Sequence, residues 1–139
     1  MSTPHLVAAI DHGTSSTRCI LFSRDGTPVA LEQREQTMLY PQPGWVELDM
    51  AEVWRNTAAC IRGALRSAGV QAGDIAAVGI TNERESVVLW DRRTGRPVAP
   101  AITWQDTRTA EAADALAADG ASTASNGGPA CRSRPTPRR

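Results

Sequence analysis

A polar hexapeptide, Asp11-His12-Gly13-Thr14-Ser15-Ser16, interrupts two apolar runs near the start of the chain and restricts the local fold more than any other stretch. The run Leu6-Val7-Ala8-Ala9-Ile10 lacks helical periodicity and is too short for a stable helix, while Thr17-Arg18-Cys19-Ile20-Leu21-Phe22 resumes strand-type residues at once. The hexapeptide therefore reads as a strand-to-strand turn. Its chemistry suits an anion: Gly13 removes a Cβ that would hold a phosphate off the backbone, and Thr14, Ser15 and Ser16 bring hydroxyls and N–H donors to one concavity. Asp11 is placed to hold Mg²⁺ through water. A plain polar turn has the same composition, so both readings stand on this string alone.

The rest of the chain reads as β-β-β-α-β-β-β-α, without an internal repeat. Arg24-Asp25-Gly26 signals a tight turn, so residues 17–23 and 28–37 are expected as antiparallel neighbours of the first strand. Residues 40–45, with two prolines and a glycine, exclude regular structure. Asp49 reads as a helix N-cap with Glu52 as its reciprocal partner, and Gly69 as the stop. Between them Val53, Trp54, Thr57, Ile61, Ala64, Leu65 and Ala68 form an apolar stripe expected to cover one sheet face, with Trp45 and Trp54 in the core. Residues 75–81 have the apolar character of a buried central strand and deliver Asn82-Glu83-Arg84-Glu85 to its carboxyl end, where open α/β sheets bind ligands. Residues 86–90 and 98–104 read as further strands about a turn at Arg92-Arg93-Thr94-Gly95, and residues 107–118 as a second helix. The fold class is α/β, with a mixed sheet formed by an antiparallel meander and a helical crossover.

The 139 residues allow one domain, and formal charge is balanced, 15 basic against 15 acidic. The balance hides an asymmetry, because every acidic residue lies at or before Asp119 whereas four arginines lie at or after Arg132. There is no lysine, which fits a GC-rich coding sequence better than any physical demand. Cys19, Cys60 and Cys131 form no C-x-x-C pair, and no apolar stretch opens the chain in the manner of a signal peptide, so a reducing cytoplasm is the expected compartment. Neither His5 nor His12 has ligands at metal spacing. No stretch is long and apolar enough to cross a bilayer.

Four motifs in order carry a resemblance: Asp11-His12-Gly13-Thr14-Ser15-Ser16-Thr17-Arg18, Pro43-Gly44-Trp45-Val46-Glu47-Leu48-Asp49, Gly79-Ile80-Thr81-Asn82-Glu83-Arg84-Glu85 and Trp104-Gln105-Asp106-Thr107-Arg108-Thr109. Together they resemble the amino-terminal domain of the FGGY carbohydrate kinases, the glycerol kinases among them in particular. The resemblance implies an actin-like, ribonuclease-H-like fold, a two-domain cleft, and ATP-dependent phosphorylation of glycerol to sn-glycerol 3-phosphate. It implies that Thr14, Ser15, Ser16 and Arg18 contact nucleotide phosphates, that Asp11 assists Mg²⁺, that Arg84 and Glu85 clasp the glycerol hydroxyls, and that Trp104 lies along the carbon chain. A carboxylate accepting from neighbouring hydroxyls and a guanidinium donating to them are charge-assisted contacts, the strongest a small polyol can offer. His12 and Glu83 stand where the family carries glutamines, and Glu83 adds negative charge beside Glu85. Xylulose kinases share the hairpin but carry a Gln-Met-His-Gly type motif in place of Asn82-Glu83-Arg84-Glu85, so glycerol is preferred over a pentulose, with another FGGY sugar kinase, for a pentulose or gluconate, as the alternative.

The resemblance also places the catalytic base, an aspartate, and the adenine-binding domain in sequence beyond this chain, which alone is expected to be inactive. Full-length members are expected to be homo-oligomeric, with glycerol and ATP as ligands and neither nucleic acid nor membrane as partner. Residues 1–120 are assigned to the amino-terminal part of the first kinase domain, and 121–139 to a disordered, non-native tail. Back-translated with GC-rich codons one base earlier, residues 127–133 permit Arg-Arg-Thr-Gly-Leu-Pro-Leu, similar to the family's next motif, so a frameshift accounts for the arginines better than a basic arm. The alternative from another class is a non-catalytic actin-like nucleotide- or sugar-binding fragment, which would have no use for a polyol clasp.

Overall fold

A computed structural model describes residues 5–118; the expectations for residues 121–139 lie outside them. The chain divides into two units, residues 1–106 and 107–139. The first contains a four-stranded sheet built from β1 (Leu6–His12), β2 (Ser16–Phe22), β3 (Pro28–Glu35) and β6 (Ile75–Thr81). The spatial order is β3-β2-β1-β6, with β1 antiparallel to β2, β2 antiparallel to β3, and β6 parallel to β1. A second sheet joins three two-residue strands in the order β4 (Met38–Leu39), β5 (Glu47–Leu48), β7 (Ala101–Ile102).

The meander and its crossover helix form as the residue pattern requires. The β2–β3 turn falls at Arg24-Asp25-Gly26, where Gly26 takes a positive φ of 85° and the Ser23 and Thr27 backbones close the loop. Residues 40–45 are irregular. Helix α1 (Met50–Ala68) starts at Asp49, whose carboxylate accepts from the Ala51 N–H at 2.8 Å, and stops at Gly69 in the left-handed region at φ 68°. Glu52 does not complete a capping box. Its carboxylate is taken instead by the N–H and hydroxyl of Thr37, tying the helix to the end of β3.

The core lies where α1 crosses the meander. Ala8, Cys19, Leu21, Cys60 and Ala64 are buried together, flanked by Ile10, Ile61, Leu65 and Ile75. Small residues on both sides allow the helix to lie close to the sheet: a Cβ on Gly63 would stand 2.7 Å from Glu32 Cγ. The stripe read from the sequence is turned slightly from the true one. Val53, Cys60, Gly63 and Ala64 are buried, whereas Trp54 is 71% exposed, since it lies about 100° round the helix from Val53. Trp45 is half-buried.

β6 corrects a second expectation, because it is an edge strand rather than a buried central one. α1 packs over β2 and β3 and only grazes β1, leaving Val78 57% and Ile80 72% exposed. The apolar composition was read correctly, but no described element beyond β6 provides the burial. Residues 86–90 also fail to form a strand and make only isolated bridges, Val87 to Ile102 and Trp90 to Pro97. Asp91 opens the turn at residues 92–95 by accepting the Thr94 and Arg93 N–H groups, which hold its carboxyl below the usual carboxylate range. The strand expected over 98–104 shrinks to Ala101–Ile102. In the second unit α2 spans Ala110–Ala118, three residues shorter at its start than expected.

Burial raises the thiol pKa of both Cys19 and Cys60, reinforced at Cys19 by Cys60 itself. Each thiol therefore favours the protonated native state. Its contribution is complete below the unfolded value of about 8.5 and is lost as pH rises through the higher folded value. The native chain is expected to resist alkylation at both cysteines near pH 7.5 and to lose thermal stability at alkaline pH, measured by mass spectrometry and by melting from pH 7 to 10.

Candidate functional site

The carboxyl ends of β1 and β6 point the same way, and the hairpin, the loop after β6 and the loop after β7 meet there. The β1–β2 ladder runs to the pair His12–Thr17, so Asp11 and His12 are strand residues and Ser16 begins β2. Only residues 13–15 lie between the strands, a tighter turn than the hexapeptide suggested. The Gly13 N–H donates to the Ser16 carbonyl at 3.0 Å and closes it. A Cβ on Gly13 would meet that oxygen at 3.4 Å. The Thr14 and Ser15 amides have no acceptor among the described residues and remain available at the tip.

A buried glutamine that the sequence reading passed over holds this turn from behind. Gln36, 7% exposed, donates through Nε2 to the Gly13 carbonyl and to Thr17 Oγ1, each at 3.0 Å, and its own N–H donates to the Ser15 carbonyl at 2.9 Å. Thr17 is fully buried and its carbonyl accepts from the Cys60 thiol. Gln36 lies among polar residues, and the one available signal was its place directly after the strand that pairs with the hairpin. Gln36→Leu takes the donor from the buried Thr17 hydroxyl and the half-buried Gly13 carbonyl, so it is expected to cost about 1–3 kcal/mol. A lower urea midpoint at unchanged m-value would record it.

Asp11 and Arg18 face each other across the ladder, with Arg18 Nε 3.0 Å from Asp11 Oδ2 and both side chains roughly two-fifths exposed. The two residues expected to serve a metal and a phosphate thus form one cross-strand ion pair. Thr14 is a junction: its hydroxyl donates to Glu83 Oε1 at 3.1 Å and accepts from the Trp104 indole N–H at 2.9 Å. Glu83, singled out in the sequence only as a departure, is therefore a structural partner of the hairpin. Arg84 and Glu85 follow on the same loop, both exposed and without a side-chain partner among the described residues. Glu85 has φ 60°, a left-handed conformation uncommon for a non-glycine residue, of the kind that concentrates at ligand sites. Trp104 is 53% exposed, so it is not core. Its loop is anchored by Thr103, whose N–H and hydroxyl donate to the Val46 carbonyl, and by Asp106, which accepts the Val46 N–H at 2.7 Å.

The structure thus joins Thr14 to Trp104 and Asp11 to Arg18, and sets Arg84 and Glu85 on the loop that Glu83 ties to the hairpin. No group of three or more His, Cys, Asp or Glu able to hold a metal occurs among the described residues. No described helix is long and apolar enough to cross a membrane.

A meander followed by a helical crossover to a parallel strand, with a hydroxyl-bearing hairpin at the strand ends, belongs to the actin-like, ribonuclease-H-like class, and solved kinases of that class superpose on it. Xylulose kinase from Rhodospirillum rubrum matches with TM-score 0.76 and 33% identity over 86% of this chain and 24% of its own. Plasmodium falciparum glycerol kinase, solved with ADP, matches with TM-score 0.77 and 30% identity over 81% of this chain and 23% of its own. Glycerol kinase from Methylorubrum extorquens is 57% identical over 84% of this chain, and that from a Roseiflexus species 55% identical over 82%. The model of the FGGY family of carbohydrate kinases, N-terminal domain, matches residues 6–128, and the chain belongs to that family. It spans 23% of the length of these glycerol kinases.

Proposed function

We propose that this chain supplies the phosphate hairpin and the polyol clasp of a glycerol-phosphorylating kinase, and that a catalytic base and an adenine-binding domain come from sequence it does not contain. The observation that carries the reading is the Thr14–Trp104 hydrogen bond, which sets a hairpin with free amides against an exposed aromatic face. Phosphoryl transfer asks the protein mainly for positioning and charge stabilisation, and these parts serve both. The Thr14 and Ser15 amides and the Ser15 and Ser16 hydroxyls would grip phosphate oxygens, with Arg18 beside them. Arg84 and Glu85 would hold two neighbouring hydroxyls, and the Trp104 ring would lie along the carbon chain.

ATP is the donor that the kinase family implies. Magnesium fits in one mode: Asp11 has one oxygen on Arg18 and is partly exposed, so its other oxygen would be available to the hydration shell of a bound ion. When bound, such an ion would supply charge neutralisation at the transferring group; Asp11 would face its hydration shell, and Arg18 would hold the Asp11 carboxylate in place. The soluble cytoplasm and a homo-oligomeric assembly belong to the same proposal.

A pentulose reading is favoured by the likeness to xylulose kinase. The loop Asn82-Glu83-Arg84-Glu85 and the identity of 55–57% to glycerol kinases favour glycerol. The test joins residues 1–118 to the remainder of a glycerol kinase relative and measures ADP release with glycerol, D-xylulose and gluconate. Glycerol is expected to give the highest kcat/KM; a higher value for either sugar substrate would transfer the assignment to it.

A further inference from the structure

We propose that Glu83 is a positioning residue which, through the Thr14 hydroxyl, fixes the indole of Trp104; the proposal deepens the polyol-kinase reading and rests on it. The Thr14 hydroxyl can donate one hydrogen and accept others, the Trp104 indole N–H can only donate, and an ionised Glu83 can only accept. The distances of 2.9 Å from indole to hydroxyl and 3.1 Å from hydroxyl to carboxylate therefore define a chain with one possible direction, Trp104 to Thr14 to Glu83. A glutamine at position 83 would not fix that direction, because its amide could donate to Thr14 and compete with the indole for the hydroxyl oxygen.

Two consequences follow for the site. The ring expected against the carbon chain of a polyol is held by its nitrogen edge, with its outer face free, in keeping with its 53% exposure. The Thr14 hydroxyl hydrogen is committed to Glu83, so toward a phosphate Thr14 offers its backbone amide, and the hydroxyls left for that task are those of Ser15 and Ser16. The chain also couples three loops, those after β1, β6 and β7, so that a ligand ordering one orders the others.

The test uses the 139-residue chain labelled with ¹⁵N, in which four tryptophans give four indole N–H signals. Solvent exchange of each is measured in the unsubstituted chain and in Thr14→Val, Glu83→Leu and Glu83→Gln. The Trp104 indole is expected to exchange about tenfold more slowly than those of Trp54 and Trp90, as one net hydrogen bond implies. Thr14→Val should bring Trp104 to their rate, Glu83→Leu should accelerate it severalfold, and Glu83→Gln should retain part of the protection. Trp45 should not change in any variant. Equal exchange of Trp104 and Trp54 in the unsubstituted chain would overturn the proposal. So would an unmoved Trp104 in Glu83→Leu, or acceleration of all four indoles together, which marks a general structural role. The readout needs neither polyol nor nucleotide, so failure of the glycerol assignment would leave this result standing, and the reverse.

Discussion

Arg84→Ala and Glu85→Ala, each placed in the chimaera formed by joining residues 1–118 to the rest of a glycerol kinase relative, are expected to lower kcat/KM for glycerol by roughly 5- to 150-fold. Each variant loses a charge-assisted hydrogen bond to a substrate hydroxyl, worth about 1–3 kcal/mol. The structure gives both side chains freedom to make that bond, since neither is engaged by another described residue and both are exposed on the loop after β6. An ordinary surface ion pair would contribute at most about 1 kcal/mol and would leave kinetics unchanged. The KM for ATP is expected to stay near its unsubstituted value, because neither substitution removes a contact of the hairpin, which is held by Gln36 and Glu83. Steady-state kinetics with each substrate varied in turn will distinguish these cases, and a normal glycerol kcat/KM in either variant would remove the clasp.

The 139-residue chain alone is expected to show no glycerol-dependent ADP release above a control without enzyme. The effect is total rather than graded because the reacting groups must be held within bonding distance of one another, and orientation of that kind supplies roughly 7–11 kcal/mol of a barrier. In the proposed reading this chain supplies one wall of such a site. The same chain should bind a hydrophobic dye and associate at high concentration, since Val78 and Ile80 on the free edge of β6 and Trp54 and Trp90 elsewhere are more than half exposed. The meander and α1 should nevertheless give cooperative melting, because turn, cap and core signals agree there. A glycerol-dependent rate from the chain by itself would show that it completes a site from residues assigned no such role.

What could be read from the residues was whatever depends on near neighbours in sequence. The β1–β2 hairpin, the Arg24-Asp25-Gly26 turn, the Asp49 cap and the Gly69 stop are local decisions of backbone and side chain, and each appears in its place. Misreadings arose where a distant partner decides. Ile75–Thr81 is apolar in composition, but whether a strand is central depends on what pairs and packs beyond it, and α1 does not reach that far. Glu52 has the spacing of a capping box, yet Thr37 competes for its carboxylate from fifteen residues away. Gln36 is polar and adjoins exposed residues, and only the folded hairpin reveals that it donates to the Gly13 carbonyl and the Thr17 hydroxyl.

The same distinction runs through the candidate site. The sequence singles out Thr14, Ser15 and Ser16 because they are consecutive, and Arg84 with Glu85 because they follow a strand-like run; the structure puts the first three at the β1–β2 turn and the other two exposed on the loop after β6. That Thr14 bridges residues 69 and 90 positions away, Glu83 and Trp104, lies in the tertiary fold alone. The pairing of Asp11 with Arg18 follows from strand register, which fixes cross-strand neighbours once the turn length is known, and a turn of residues 13–15 rather than six residues sets that register.

The most direct measurement is the identity of the phosphorylated product. The chimaera, supplied with ATP carrying a labelled γ-phosphoryl group and an equimolar mixture of glycerol, D-xylulose and gluconate, should place the label chiefly on sn-glycerol 3-phosphate, resolved by ³¹P NMR and mass spectrometry. Label found mainly on a sugar phosphate, or released as inorganic phosphate at the same rate with and without glycerol, would contradict the assignment of this chain to glycerol phosphorylation.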